Sequence, residues 1–254
     1  MALEYRAPDW QTYRMDMHRP HRRLEPPEQE IALVDAAVSE LADAGVLPHA
    51  RYDAERFLAH RAAVAAAFDI PWTAITPRMQ RLLYAINAIA QPDTMVAVGI
   101  FCGNTFISNA GAAVGPGACY QAARLIGVEI RAEEAARAAR NVAALDPSGV
   151  AQIRAEDGIP LLRALDGRLD LLYLDADGSD GRGKSIYLEM LDAAEHVLRP
   201  GSLLLAHNSV NCAAQMQDYL AAVRSAGRFR QSVNVAVDGE GLEVSLYAGN
   251  GRKG

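Results

Sequence analysis

The stretch Thr94-Met95-Val96-Ala97-Val98-Gly99-Ile100-Phe101-Cys102-Gly103-Asn104-Thr105 (TMVAVGIFCGNT, residues 94–105) decides the fold. Its first half is an apolar run of strand length that stops at a glycine. Its second half is a G-x-x-x-G turn feeding the helical pattern NTFISNAGAAV. Gly99 and Gly103 let the backbone turn tightly and approach a ligand with no Cβ in the way. The same unit recurs downstream. ARLIGVEI, VAQIRAED, LDLLYLDAD and SLLLAHNS have strand character, and AEEAARAARNVAAL, GIPLLRAL, SIYLEMLDAAEHVL and CAAQMQDYLAAVRSAG alternate with them as helices. That alternation predicts an α/β fold with a doubly wound, mainly parallel sheet. RQSVNVAV and LEVSLYAG, joined by DGEG, predict an antiparallel pair at an edge.

Upstream, the chain divides at about residue 75. Residues 1–75 form an N-terminal arm and helical cap, and residues 76–254 the ligand-binding core. The arm, to about residue 25, is polar, aromatic and basic, with Arg14, His18, Arg19, His21, Arg22 and Arg23 clustered. It is expected to be solvated, with a substrate cover or a subunit contact as the other readings. Three helices follow, over PPEQEIALVDAAVSELADAG, DAERFLAHRAAVAAAF and ITPRMQRLLYAINAIA, the last with Thr76 as cap and Pro77 in its first turn.

In an open α/β sheet a ligand sits beyond the carboxyl ends of the strands, where strand order reverses. The second core strand ends in Glu129-Ile130, and a carboxylate there suits the two hydroxyls of a ribose. The loop lacks the middle glycine of G-x-G-x-x-G, which removes the close approach a pyrophosphate needs. A nucleoside without phosphates fits better, with the acidic third tip, Glu156-Asp157, nearby.

A competing signal is GSDGRGKS, Gly178 to Ser185, which matches the phosphate-cradling pattern G-x-x-x-x-G-K-[ST]. Asp175, Asp177 and Asp180 crowd the same strand tip. Two carboxylates about 6 Å from a phosphate would oppose it by roughly 1–3 kcal/mol each at an effective dielectric of about 20–40. The stretch is therefore expected to be a flexible lid over an acceptor pocket. It carries Lys184, one of only two lysines beside 23 arginines; the other, Lys253, lies near the terminus. An amine whose pKa shifts with its surroundings does what a guanidinium cannot.

The succession VAVGIFCGNT, LIGVEI, IRAEDG, LLYLDAD, LRPGSLLLAHNS resembles the S-adenosylmethionine-dependent O-methyltransferases of the catechol and caffeoyl-CoA type, over about residues 76–250. The resemblance implies a seven-stranded, Rossmann-like class I methyltransferase fold and S-adenosyl-L-methionine as cofactor. It places Gly99, Phe101, Gly103 and Thr105 along the methionine part, Glu129 on the ribose, and Glu156 and Asp157 near the adenine, with Ile130 also among the cofactor-binding residues. Asp175 borders both cofactor and acceptor. In that family a divalent metal is held by an Asp after the fourth strand and an Asp-Asn pair after the fifth. These map to Asp175 and to His207-Asn208, so an imidazole stands where a carboxylate is usual. The family's catalytic lysine maps to Gly178, and its first-strand acidic residue to Ala97.

The implied reaction moves a methyl group to a phenolic or catechol-like hydroxyl of a small molecule. Asp175, His207 and Asn208 would hold the metal, and the imidazole would favour zinc or later transition metals over magnesium. Alternatively His207 acts without metal as general base on an O-, N- or C-acceptor, with Lys184 as base or substrate clamp under either scheme. A non-catalytic cofactor-binding scaffold is the third reading.

The whole chain narrows these classes. With 254 residues and a formal charge of −6, it is sized for one large domain and is not drawn to nucleic acid or anionic lipid. No run approaches the roughly 18–20 apolar residues of a membrane span, and the start has no apolar signal-like centre. Cys102, Cys119 and Cys212 form no CxxC, which argues against a disulfide framework. A cytoplasmic homodimer is expected.

Overall fold

In the computed structural model, which describes residues 3–249, strands and helices alternate throughout the core. The N-terminal third holds β1 (Leu3–Arg6), α1 (Pro27–Asp43), α2 (Ala54–Ala67) and α3 (Pro77–Ala90). Then come β2 (Thr94–Val98), α4 (Asn104–Ala110), β3 (Arg124–Val128), α5 (Ala132–Ala143), β4 (Ala151–Arg154) and α6 (Gly158–Ala164). The last part holds β5 (Leu169–Leu174), α7 (Tyr187–Ala194), β6 (Leu198–His207), α8 (Gln217–Arg224), β7 (Phe229–Ala236) and β8 (Leu242–Tyr247). Local chemistry sets the helix starts. Asp53 accepts from the amides of Glu55 and Arg56 at the head of α2, and Thr76 accepts from Met79 N at the head of α3.

The strands form one sheet in the order β1-β7-β8-β6-β5-β2-β3-β4. From β6 to β4 the pairs are parallel, whereas β8 is antiparallel to both β6 and β7. The chain leaves β2 towards β3 and β4 on one side and returns to β5 and β6 on the other. The order therefore reverses beside β2, which puts the ligand crevice at the tips of β2 and β5. Both faces of β2 are buried. Met95 and Ala97 belong to the core shared with Leu82 and Ile86 of α3, Val96 and Val98 to that shared with Leu162 and Met190. Ala97 sits in register between Gly127 and Tyr173, fully enclosed. An acidic side chain there would lose its hydration with nothing charged beside it in the strand ladder.

Three expectations need correction. The sheet has eight strands rather than seven, and the β7–β8 pair is not at the edge, because β1 pairs with β7 over Leu3–Arg6 and Val233–Ala236. An open edge exposes unpaired backbone groups, and the arm covers it. Nor is the whole arm solvated, since Ala7 and Tyr13 are buried. Arg78, at the start of α3, fastens it: Nε donates to Glu25 at 2.7 Å, Nη2 to Asp9 at 2.9 Å and Nη1 to the Val237 carbonyl at 3.2 Å. Its guanidinium lies 3.7 Å over the Tyr13 ring. His60, in α2, is buried against Tyr84 rather than facing a ligand. Among the described residues no helix is long and apolar enough to cross a membrane. Lys253 lies outside the described residues.

Candidate functional site

A cavity of about 740 Å³ opens where the order reverses. Its wall carries Gly99, Phe101, Thr105, Glu129, Ile130, Glu156, Asp157, Asp175, Lys184, His207 and Asn208. Of the candidate catalytic, cofactor and metal residues named from the sequence, Gly103 alone stands behind the wall. It has φ +90°, and a Cβ there would come within 3.2 Å of Ala138 on α5. Gly99 is more constrained: at φ +84°, a Cβ would lie 2.4 Å from the Ala176 backbone nitrogen. Only glycine lets the tips of β2 and β5 meet this closely.

The Glu129 carboxylate, at the tip of β3, organises one half of the cavity. Its Oε2 accepts from Phe101 N at 2.8 Å, and its Oε1 from Arg131 N and Nε, both at 3.1 Å. The first of these bonds holds Phe101 in the left-handed region, at φ +50°, which costs a non-glycine residue about 1–2 kcal/mol. The Phe101 ring packs against Trp72 with centroids 4.5 Å apart. Ile130 is 68% exposed, a large apolar side chain left bare on the cavity wall. Asp157 is partly committed elsewhere: it caps α6 by accepting from Ile159 N at 2.9 Å. Glu156 has an exposed side chain on the wall.

The other half is a line of alternating charges. Lys184 Nζ donates to the Asp175 carbonyl at 2.9 Å and to Asp175 Oδ1 at 3.0 Å, and stands 3.6 Å from Asp177. His207 Nδ1 lies 3.2 Å from the same Asp175 Oδ1, and its Nε2 faces Glu240 at 3.1 Å, close enough for an ion pair but out of line for a hydrogen bond. Burial alone would push the imidazole pKa down. The Asp175 and Glu240 carboxylates outweigh burial and raise it to about 10. Burial would raise the Asp175 carboxyl, but His207 and Lys184 reverse the direction and lower it. Burial likewise opposes the Lys184 ammonium, and Asp175 and Asp177 overcome it and raise its pKa. All three groups are therefore held charged near neutrality.

This has a consequence for stability. The His207 pKa rises on folding from 6.5 to about 10, so the stability it contributes is complete below pH 6.5 and is lost as pH rises to about 10. The expected result is a wild-type melting temperature that falls between pH 7 and 10, with a shallower fall in His207→Gln. Parallel slopes in the two proteins would show that the imidazole is not held in this way.

The arrangement suits neither role first expected of His207. An imidazole protonated up to about pH 10 is no general base at pH 7. Nor do Asp175, His207 and Asn208 fit a divalent metal. Asp175 Oδ1 already faces an ammonium and an imidazole nitrogen, and these two cations beside the carboxylate repel a divalent ion. Among the described residues no group of three or more His, Cys, Asp and Glu side chains is placed to hold a metal ion.

GSDGRGKS forms a compact turn closed by Gly178 N to Gly183 O at 2.9 Å. Lys184 leaves this turn buried and directed at Asp175, while the resemblance's lysine is missing from Gly178, at the start of the turn itself. Its ammonium thus points at carboxylates, where a phosphate reading needs it to meet an anion of a ligand. Trp72, Thr73 and Cys212 also line the cavity and Glu240 stands beside His207, though none of the four was a candidate site residue in the sequence. Glu240 reaches His207 only because β8 runs antiparallel to β6 with Leu242 opposite His207. Nothing local in DGEG signals that.

Residues 96–209 match the family model described as a methyltransferase domain. No curated protein sequence matches the chain. Solved structures share the fold. An O-methyltransferase from Bacillus cereus in complex with SAH is 14% identical, with a TM-score of 0.58 over 84% of this chain and 97% of that one. The O-methyltransferase TomG from Streptomyces achromogenes, involved in tomaymycin synthesis and solved with SAM, is 21% identical, with a TM-score of 0.54 over 78% and 92%. An SAH-bound methyltransferase from Podospora anserina is 13% identical, with a TM-score of 0.58 over 89% and 98%.

Proposed function

We propose that this chain, whose residues 96–209 match the model of a methyltransferase domain, transfers a methyl group from S-adenosylmethionine to a phenolic hydroxyl of a small molecule. The observation that carries the cofactor half is Glu129, a 5% exposed carboxylate on the cavity wall beside the Gly99 turn. A ribose diol would satisfy it. Oε2 keeps a lone pair beside its bond to Phe101, and Oε1 is freed if the exposed Arg131 side chain swings away. Ile130 would cover one face of the adenine, and the chain from Gly99 to Thr105 would follow the amino-acid tail. The volume is of the size that small-molecule sites have.

When bound, S-adenosylmethionine supplies a methyl carbon that passes from sulfur to the acceptor oxygen, the C–S electron pair staying on sulfur. The protein must align that oxygen and let its proton go. Lys184 is the group suited to the task, because an ammonium on the wall stabilises an oxyanion as it forms. The released proton passes to water at the exposed Asp177 carboxylate, 3.6 Å from the ammonium. His207, Asp175 and Glu240 keep Lys184 in place. With His207 already protonated, an acceptor hydroxyl must ionise readily by itself, which favours a phenol over an aliphatic alcohol. Ile186, Met190 and Trp72 give the wall the apolar surface a ring would pack on.

Isothermal titration with S-adenosylmethionine should show micromolar binding, weakened about 30–100-fold in Glu129→Ala by the loss of charge-assisted hydrogen bonds. Wild-type protein that takes up no S-adenosylmethionine would end this reading.

A further inference from the structure

We infer that Lys184 occupies the place of the divalent cation, so that the site carries its own positive charge and takes a lone hydroxyl in place of a chelating vicinal diol. The inference rests on the methyltransferase reading for its chemistry and on the geometry alone for the cation. A metal at this strand tip would bond the Asp175 carboxylate and a carboxylate at position 207. Here Asp175 Oδ1 receives Lys184 Nζ at 3.0 Å, and position 207 is an imidazole held between Asp175 and Glu240. The ammonium arrives from a different part of the chain than the resemblance suggests. It crosses the turn closed between Gly178 and Gly183 and is steadied by the bond from Lys184 N to Gln215 at 3.0 Å. Gly183 is part of that fit: a Cβ on it would lie 2.2 Å from Gln215 Oε1.

Counting donors defines the acceptor. An ammonium has three N–H groups. Two are spent on the Asp175 carbonyl and carboxylate, which leaves one for a ligand, since the Asp177 carboxylate stands off at 3.6 Å. One donor holds one oxygen. A divalent ion with open positions binds both oxygens of a vicinal diol at once, and so selects for the pair. With a single donor, the second hydroxyl of a catechol gains nothing, and one phenolic oxygen suffices. On ionisation the phenol O–H proton goes to solvent and the oxygen lone pair forms the new O–C bond. No co-reactant beyond S-adenosylmethionine is needed.

The test uses Mn²⁺ alone as probe on the full chain, followed by electron paramagnetic resonance, together with methyl transfer to 4-nitrophenol and 4-nitrocatechol in EDTA. Wild type should leave the ion free in solution. Lys184→Ala/His207→Asp, shown folded by circular dichroism, should bind one equivalent, and adding Asp175→Asn should release it. Transfer should survive EDTA, with kcat/KM for the two phenols within about threefold of each other. One equivalent of Mn²⁺ bound by wild type and lost in Asp175→Asn overturns the inference, as does a folded double variant that binds none. A diol preference of about 30-fold that EDTA abolishes does the same. If the double variant does not fold, or neither phenol is an acceptor, the wild-type manganese titration decides by itself. S-adenosylmethionine binding is measured separately, so failure here leaves the cofactor reading standing.

Discussion

Lys184→Met is expected to lower kcat by about 10²–10³-fold while changing the S-adenosylmethionine Kd by less than about threefold. Methionine keeps much of the length and apolar stem of lysine and removes only the charge. The loss should fall on kcat because the oxyanion is complete only in the transition state, whereas the neutral phenol gains little from the ammonium. Cofactor affinity should hold, since Glu129 and the Gly99 turn belong to the other half of the cavity and make no bond to Lys184. The Asp175 carboxylate stays compensated by His207, 3.2 Å away, so the variant is not left with an unpaired buried charge. Arg in place of Lys is not expected to rescue, because a planar guanidinium does not fit a point-charge site enclosed by the 178–183 turn. An unchanged kcat in Lys184→Met would remove the ammonium from the mechanism.

The largest effect on stability is expected at Arg78. Arg78→Ala should cost about 3–5 kcal/mol, because it strands the Glu25 carboxylate, whose side chain is only 5% exposed, with no cation beside it. At about 2–4 °C per kcal/mol for a chain of this size, the melting temperature should drop by roughly 6–20 °C. The same substitution frees the arm. Asp9, Tyr13 and Glu25 all meet around this one guanidinium, and β1 closes the sheet edge just upstream. Limited proteolysis should therefore cut Arg78→Ala between residues 7 and 25 well before it cuts wild type. Loss of stability with the arm still resistant would mean that β1 and Tyr13 hold it unaided. The arm is tied to the cavity as well: Thr73, on the wall, bonds through its amide to the Met17 carbonyl and through its hydroxyl to Asn104.

The core was legible because its signals are local. The run 95–98 is apolar on both faces, as a strand buried between two helical layers must be, and Gly99 follows where the backbone crosses Ala176. Glu129 could be found by counting one strand further along the same rule. The eighth strand could not. LEYR is four residues with largely exposed side chains, and only pairing with β7, some 230 residues away, makes it a strand. Lys184 was visible as a compositional oddity, the lone lysine of the core beside many arginines, but its partner was not. Asp175 lies nine residues upstream, across a turn that reverses the chain. His207 misled for a related reason: at a strand tip an imidazole suits a base or a ligand, and only the non-local approach of Glu240 makes it a cation between two anions. Pairing across distant segments, not propensity, set these features.

The most direct measurement is a crystal structure with S-adenosylhomocysteine bound. Both ribose hydroxyls should lie on Glu129, the adenine against Ile130, and the thioether sulfur should be turned towards Lys184 and Asp175. A nucleoside bound outside this cavity, or a sulfur directed away from Lys184, would contradict it.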